Sequence, residues 1–416
     1  MRDSDPERIL DWEMDNLARD YLLIALGIGE LQEGIVEAYY GPPELRQQAV
    51  DANVGAAALG VQAAALRARL DDATDDAQRR QWLDRQLLGL ETIVAKLLGE
   101  DLPYVQEVQR CFDATPDATP PEDYASVRAQ LEDLLPGTGD LRDRLAQRDT
   151  KLVVPGDRLP TIIDWVAAEL RQSAGNIWPL PDGEHCTFSM VTNEPWAAYN
   201  WYDGDLASRI EVNTDLPMRA QGLSMILAHE TFPGHHLEHA WKETRLYRAK
   251  GYGEASAQLI NTSEAYVSEG LAEVGAWLLN TEERYQQILL QICERAGLAI
   301  TSDDAQREWR IANALHTFCG AGGDAALQLY VDKRSRDDVV RFLEQDALST
   351  HERALKSLEF VEHPLWRTYV FCYAGGERLL TKWVNQAADE SAKNARFFRL
   401  LSEQITPSWV ASEIAS

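Results

Sequence analysis

Between Leu223 and Trp241 the chain reads LSMILAHETFPGHHLEHAW, and the eleven residues from His229 to His239 hold four histidines and two glutamates. A histidine followed directly by a glutamate at the end of an apolar helical run is a pattern suited to metal-assisted hydrolysis. The His229 imidazole can ligate Zn2+ while the Glu230 carboxylate polarises a metal-held water. The partner histidine normally lies four residues on, about 6 Å along the same helix face. Here that position is Pro233, which lacks an N–H and whose ring collides with the carbonyl of His229. A kink or bulge is therefore expected, with Gly234 supplying backbone freedom, and a two-residue bulge brings His235 to the place of the missing ligand. His236 is the alternative, about 10.5 Å from His229 along an unbroken helix, a long span for one ion. A second register is also spelled out: His235-x-x-Glu238-His239 is the inverted motif HxxEH with regular spacing, but it leaves Pro233, Gly234 and the His229–Glu230 pair without a role.

HETFPGHH resembles the HExxPGHH signature of the family catalogued as domain of unknown function 885, which is related in site design to gluzincin metallopeptidases. SEGLAEVGAWL after the motif, EAYYGPPEL near the N-terminus and HPLWRTYVFCYAGGERLL near the C-terminus resemble the same family, so the likeness covers most of the chain. It implies a largely helical metallohydrolase of peptidase type. Gluzincin variants that place a glycine immediately before the second ligand favour His235 over His236 by analogy.

Two histidines leave a catalytic zinc one protein ligand short. The stretch Ser268-Glu269-Gly270-Leu271-Ala272-Glu273 offers it from a later helix, with Glu269 as the ligand and Glu273, one turn on, accepting the remaining N–H of a ligating histidine. Glu264 competes as the ligand. Acidic pairs at this spacing are ordinarily solvated faces, but this one follows the motif in an apolar helix beside Trp277. Zinc acidifies a bound water and Glu230 is the expected general base. Charge developing on a carbonyl oxygen needs a donor; Tyr373 ranks first because Gly375-Gly376 beside it allows close approach of backbone or ligand, and His316 and Tyr266 stand behind it.

The 416 residues carry 40 Lys and Arg against 67 Asp and Glu, a net charge of −27. That balance argues against nucleic-acid or anionic-membrane binding, which rests on basic side chains neutralising phosphate, and favours cationic or neutral substrates. Five widely spaced cysteines without a CxxC pair suggest reduced thiols. No apolar leader opens the chain and no run approaches the roughly 20 apolar residues of a membrane span, so a cytoplasmic location is expected.

Around the motif, helical spacing predicts one long helix from Ile9 to Ala38, a helix pair over Ala56–Leu98 broken at Asp71–Asp76, a helix at Ala125–Leu135 and another at Leu159–Ser173. Val154-Pro155-Gly156 is a soft boundary between an N-terminal helical region, 1–153, and a catalytic region, 154–416, that share a core. Thr187–Val191 and Arg209–Asn213 alternate as strands and flank an aromatic stretch holding Tyr199, Asn200 and Trp201. These three and Tyr266 are the substrate-contact candidates, on an edge that could carry an extended peptide; the alternative is a hydrophobic cap. Asn213–Asp215 is the expected N-cap of the motif helix, with Pro217 in its first turn. The fold class is mainly α, metallopeptidase-like, with a small antiparallel sheet beside the motif helix. The expected activity is zinc-dependent hydrolysis of a peptide or small amide; a non-catalytic helical binding protein and a zinc hydrolase of non-peptide amides or esters are the competing classes.

Overall fold

The computed structural model describes residues 14–416 apart from 195 and 216. Among the described residues the protein is mainly helical with five short strands. Among the described residues no helix is long and apolar enough to cross a membrane.

The first described helix runs Asn16–Leu31, with the Asp15 side chain capping the N–H of Ala18 and Leu17, Tyr21, Leu22 and Ile28 on its buried face. It is shorter than its periodicity suggested. Gly34 takes φ +86°, which a glycine adopts without steric cost, and the β-branched and aromatic residues beyond it form β1, Val36–Tyr39. The expected start of that helix at Ile9 lies outside the described residues. Strand β1 pairs antiparallel with β5, Ala257–Leu259, which lies more than 200 residues further along the chain. The helix pair appears as Ala56–Ala68 and Ala77–Leu97, joined by one turn at Leu70–Ala73, with Asp76 capping the second helix. Helices also occupy Pro121–Leu134 and Leu159–Ile177.

The main sheet contains β2 (His185–Val191), β3 (Ala198–Gly204) and β4 (Ala207–Asn213) in the order β2-β4-β3. The β3–β4 pair is an antiparallel hairpin, and β2 joins the other side of β4 in parallel. The aromatic stretch between the two expected strands is itself the edge strand β3. The turn sits at Gly204, Asp205 and Leu206, all with positive φ, and tucks so closely that a Cβ on Gly204 would lie 2.7 Å from that of Tyr40.

Asn213 and Asp215 do not cap the motif helix. Asp215 accepts the N–H of Asn193, and the Asn213 amide donates to the carbonyls of Glu194 and Trp196, so both pin the loop before β3. The helix begins instead at Ala220, where the chain pairs with residues 152–154: Val154 N–H donates to Met218 O and Ala220 N–H to Leu152 O.

Two large apolar clusters make up most of the interior. One joins residues between Leu152 and Val410; the other joins Leu17–Phe112 to Ala257, Tyr266, Tyr369 and Phe371. The helix Ser263–Leu279 belongs to both, giving Ala265 and Tyr266 to one and Val267, Leu271 and Val274 to the other. It crosses helix Val370–Asn385 at van der Waals contact of the backbones. A Cβ on Gly270 would stand 2.5 Å from the carbonyl carbon of Gly376, and one on Gly376 would stand 2.4 Å from the carbonyl oxygen of Tyr266. Gly376 therefore serves a helix crossing rather than an approaching ligand, and that crossing sets the height of Glu269.

Candidate metal centre

The motif helix, Ala220–Glu230, stops directly after its His-Glu pair, and a new helix, His235–Lys242, starts after four intervening residues. Between them the Phe232–Pro233 peptide is cis. The backbone is spliced by bonds that reach two residues too far for an α-helix: Gly234 N–H donates to Ala228 O at 3.1 Å and Leu237 N–H to Thr231 O at 3.2 Å. The two-residue insertion is thus a break between helices rather than a bulge within one. Gly234 has φ −79°, so its lack of a side chain answers a need for room, not for a left-handed backbone. An added Cβ would fall 1.8 Å from the carbonyl oxygen of His229. Gly234→Ala should accordingly cost well over the roughly 1 kcal/mol typical of point substitutions and displace the second histidine. Thermal unfolding together with metal content would check this; a variant of native stability and full metal content contradicts it.

This splice brings Nε2 of His235 to 3.1 Å from Nε2 of His229. Glu269 completes a triangle, its Oε2 lying 3.4 Å from His229 Nε2 and 3.8 Å from His235 Nε2. Donors about 2.0–2.2 Å from one tetrahedral ion stand about 3.3–3.6 Å apart, so three edges of 3.1, 3.4 and 3.8 Å suit a common cation after small rotations. The chemistry of the set agrees. Glu269 is 8% exposed, and among the described residues its Oε2 is buried without a hydrogen-bond partner. A buried carboxylate oxygen left so is costly unless something positive meets it. Its other oxygen accepts from the hydroxyl of Tyr369 at 2.8 Å.

The outer nitrogens are held too. His229 Nδ1 faces Glu273 Oε1 at 3.3 Å, the orienting place foreseen for that residue. His235 Nδ1 lies 3.2 Å from Ser268 Oγ, which donates to Glu238 Oε2 at 2.5 Å. Burial alone would raise Glu269 and lower the imidazoles, but mutual pairing outweighs it: Glu269 is held well below the usual carboxylate range and His235 is pushed up to about 9. Both rings must be neutral to ligate, so cation uptake at neutral pH expels protons, and affinity weakens as pH falls from about 9. Calorimetric titration in two buffers of different ionisation enthalpy would read that proton release; its absence contradicts the assignment.

Of the alternatives, His236 is wholly buried and turned the other way, its Nδ1 2.8 Å from Ser208 Oγ and its Nε2 3.0 Å from Glu184 Oε2. It ties the second motif helix to the sheet. His236→Ala should cost roughly 1–3 kcal/mol by orphaning its partners while leaving metal content unchanged; metal loss without loss of stability contradicts that. His235, Glu238 and His239 also lie close enough to hold a cation. Glu238, however, is already engaged by Lys242 Nζ at 2.6 Å and by Ser268. Glu264, the competing third ligand, accepts from the same lysine at 2.9 Å and is withdrawn from the triangle.

Glu230 is 9% exposed, its carboxylate makes no hydrogen bond among the described residues, and burial raises its pKa. Asn200 of β3 donates to the Glu230 carbonyl at 2.7 Å, locking the helix end against the sheet. Tyr199 donates to Glu37 of β1 at 2.9 Å, and Trp201 donates to Glu211 at 2.8 Å with its ring 4.6 Å from that of Tyr199. Tyr373 packs against Tyr369, and burial and the field of Glu269 push its hydroxyl well above the ordinary value. Tyr266 is a core residue stacked on Phe112, and its hydroxyl lies under Gly375. It sits one turn before Glu269 on the same helix, with its ring packed into the apolar core rather than against the triangle. His316 is paired with Glu377 at 2.7 Å and stacked on Trp277, away from the two motif histidines. Sequence reasoning passed over Tyr369, Glu37 and Ser268. Only Ser268, beside Glu269, carried a local signal.

No family model and no curated protein matches the chain. Among solved structures, a candidate lipoprotein from Colwellia psychrerythraea superposes with a TM-score of 0.55 at 12% identity over 86% of this chain, which spans 66% of that protein's length. A candidate lipoprotein of unknown function from Shewanella oneidensis gives 0.53 at 12% identity, over 96% of this chain and 83% of its own. The M32 carboxypeptidase of Deinococcus radiodurans R1 gives 0.39 at 12% identity over 95% and 94%, too loose a likeness to argue from. What the first two share with this chain is the fold.

Proposed function

We propose that this protein is a zinc-dependent metallohydrolase acting on peptides or small amides, with His229, His235 and Glu269 as the ligands, and that it is a member of the HExxPGHH family. The observation that carries the proposal is the triangle of donor atoms closed by a buried carboxylate oxygen that has no hydrogen-bond partner among the described residues. When bound there, zinc supplies an acidified water and a Lewis acid for the scissile carbonyl. The residues around it have separable tasks. Glu273 and Ser268 orient the two imidazoles through their outer nitrogens. Glu230, its proton affinity raised by burial, takes a proton and delivers it to the leaving group. Tyr373 is the candidate donor to the developing oxyanion, its hydroxyl kept protonated by burial and neighbouring carboxylates. The edge strand β3, with Tyr199 and Trp201, offers main-chain pairing to an extended substrate.

Glu37 lies in the field of the same carboxylates. Its carboxyl, held by Tyr199 and enclosed near Glu269 and Glu230, is pushed up to about 7 by burial. With a chain charge of −27, the surroundings favour cationic or neutral substrates over acidic ones. We also propose a reducing compartment such as the cytoplasm, since all five thiols are unpaired. Digestion of a peptide library by the zinc-loaded protein is the test. New termini are expected; intact peptides with zinc bound would favour the binding-protein class, and turnover restricted to ester or non-peptide amide probes would favour the third class.

A further inference from the structure

A second convergence of donor atoms lies beside Trp277, near the end of the helix that carries Glu269 and Glu273, but is built from three other elements. His316 ends the helix Ser302–His316, Cys319 follows in the short turn Thr317–Gly320, and Glu377 projects from helix Val370–Asn385. Their imidazole nitrogen, thiol sulfur and carboxylate oxygen all lie within 4.8 Å of one another. Glu377 Oε2 stands 2.7 Å from His316 Nε2 and 3.9 Å from Cys319 Sγ. The His316 ring is clamped in plane by Trp277, 4.3 Å away and 10° from parallel.

The thiol is set apart from the other four. Cys111, Cys293 and Cys372 are buried and Cys186 is half-buried, whereas Cys319 is exposed, and it is the cysteine with an imidazole and a carboxylate at hand. Nitrogen, sulfur and oxygen donors together suit a borderline divalent ion. Donors bound at about 2.0–2.3 Å to a tetrahedral ion stand about 3.3–3.8 Å apart, and the 2.7 and 3.9 Å edges bracket that span, so small rotations close the set. The nearby cation, Arg378, is neutralised by Asp117 at 2.8 Å. We propose that His316, Cys319 and Glu377 form a second divalent-cation site of zinc type, distinct from the two-histidine centre, with its remaining coordination position open to solvent on the side of Cys319.

Cobalt(II) titration of the metal-stripped full-length protein tests this, because a cobalt–thiolate bond gives a near-ultraviolet charge-transfer band that imidazole and carboxylate ligands do not. The intact chain should bind two equivalents, one of them with the band. Cys319→Ser should bind one equivalent and lack the band, and Glu377→Gln should weaken the banded site at least tenfold. Glu269→Ala should lose the other equivalent and keep the band, so failure of the two-histidine centre is read separately. A single equivalent without the band in the intact chain, or a band that survives in Cys319→Ser, overturns the proposal and leaves His316–Glu377 an ion pair beside a bystander thiol.

Discussion

Glu230→Gln should keep fold and zinc while lowering peptide hydrolysis by about 10²–10⁴-fold, the usual cost of a lost general base. The substitution preserves shape and removes only the capacity to carry a proton. Glu230 is well placed for so clean an outcome: its carboxylate holds no hydrogen bond among the described residues, so no structural partner is orphaned, and the backbone contact from Asn200 goes to its carbonyl and survives the change. Hydrolysis within a few-fold of the parent would remove Glu230 from the chemistry.

The second large effect is on the metal. Replacing His229 or Glu269 by Ala should empty the two-histidine centre, since each removes one of three protein ligands and a tetrahedral zinc with an open position has none to spare. Glu269→Ala also strips Tyr369 of its acceptor. Glu273→Ala should be milder, weakening zinc about 10–100-fold, because it only orients His229 from the far side of the ring. Glu264→Ala should leave this centre loaded and act through Lys242 and Glu238. Elemental analysis of protein purified without added metal reads all four; full occupancy after loss of Glu269 contradicts the assignment.

Much of this centre was legible because it is local. Pro233 and Gly234 announce a helix break within eleven residues, and the break displaces the second histidine by the two residues that the misplaced backbone bonds of Gly234 and Leu237 display. Glu269 and Glu273 are legible from an i, i+4 acidic pair in an otherwise buried helix. What could not be read was set by tertiary contact. Tyr369 meets Glu269 only because Gly270 and Gly376 let two helices touch, and of the two uses read for the glycines beside Tyr373, close approach of backbone or of ligand, the structure shows the first. Glu37 belongs to a strand that its helical periodicity concealed until Gly34 broke the helix. His236 differs from His235 by one position, yet that step turns it through about 100° into the sheet. The aromatic residues between the two alternating runs lack period-two alternation of their own, although β-propensity favours them as the strand they form.

Anomalous diffraction at the zinc edge from crystals of the zinc-loaded protein tests the central assignment most directly. The expected result is a peak about 2.0–2.2 Å from Nε2 of His229, Nε2 of His235 and a carboxylate oxygen of Glu269. A peak held between His235 and His239, with His229 turned away and Glu269 unengaged, would contradict it.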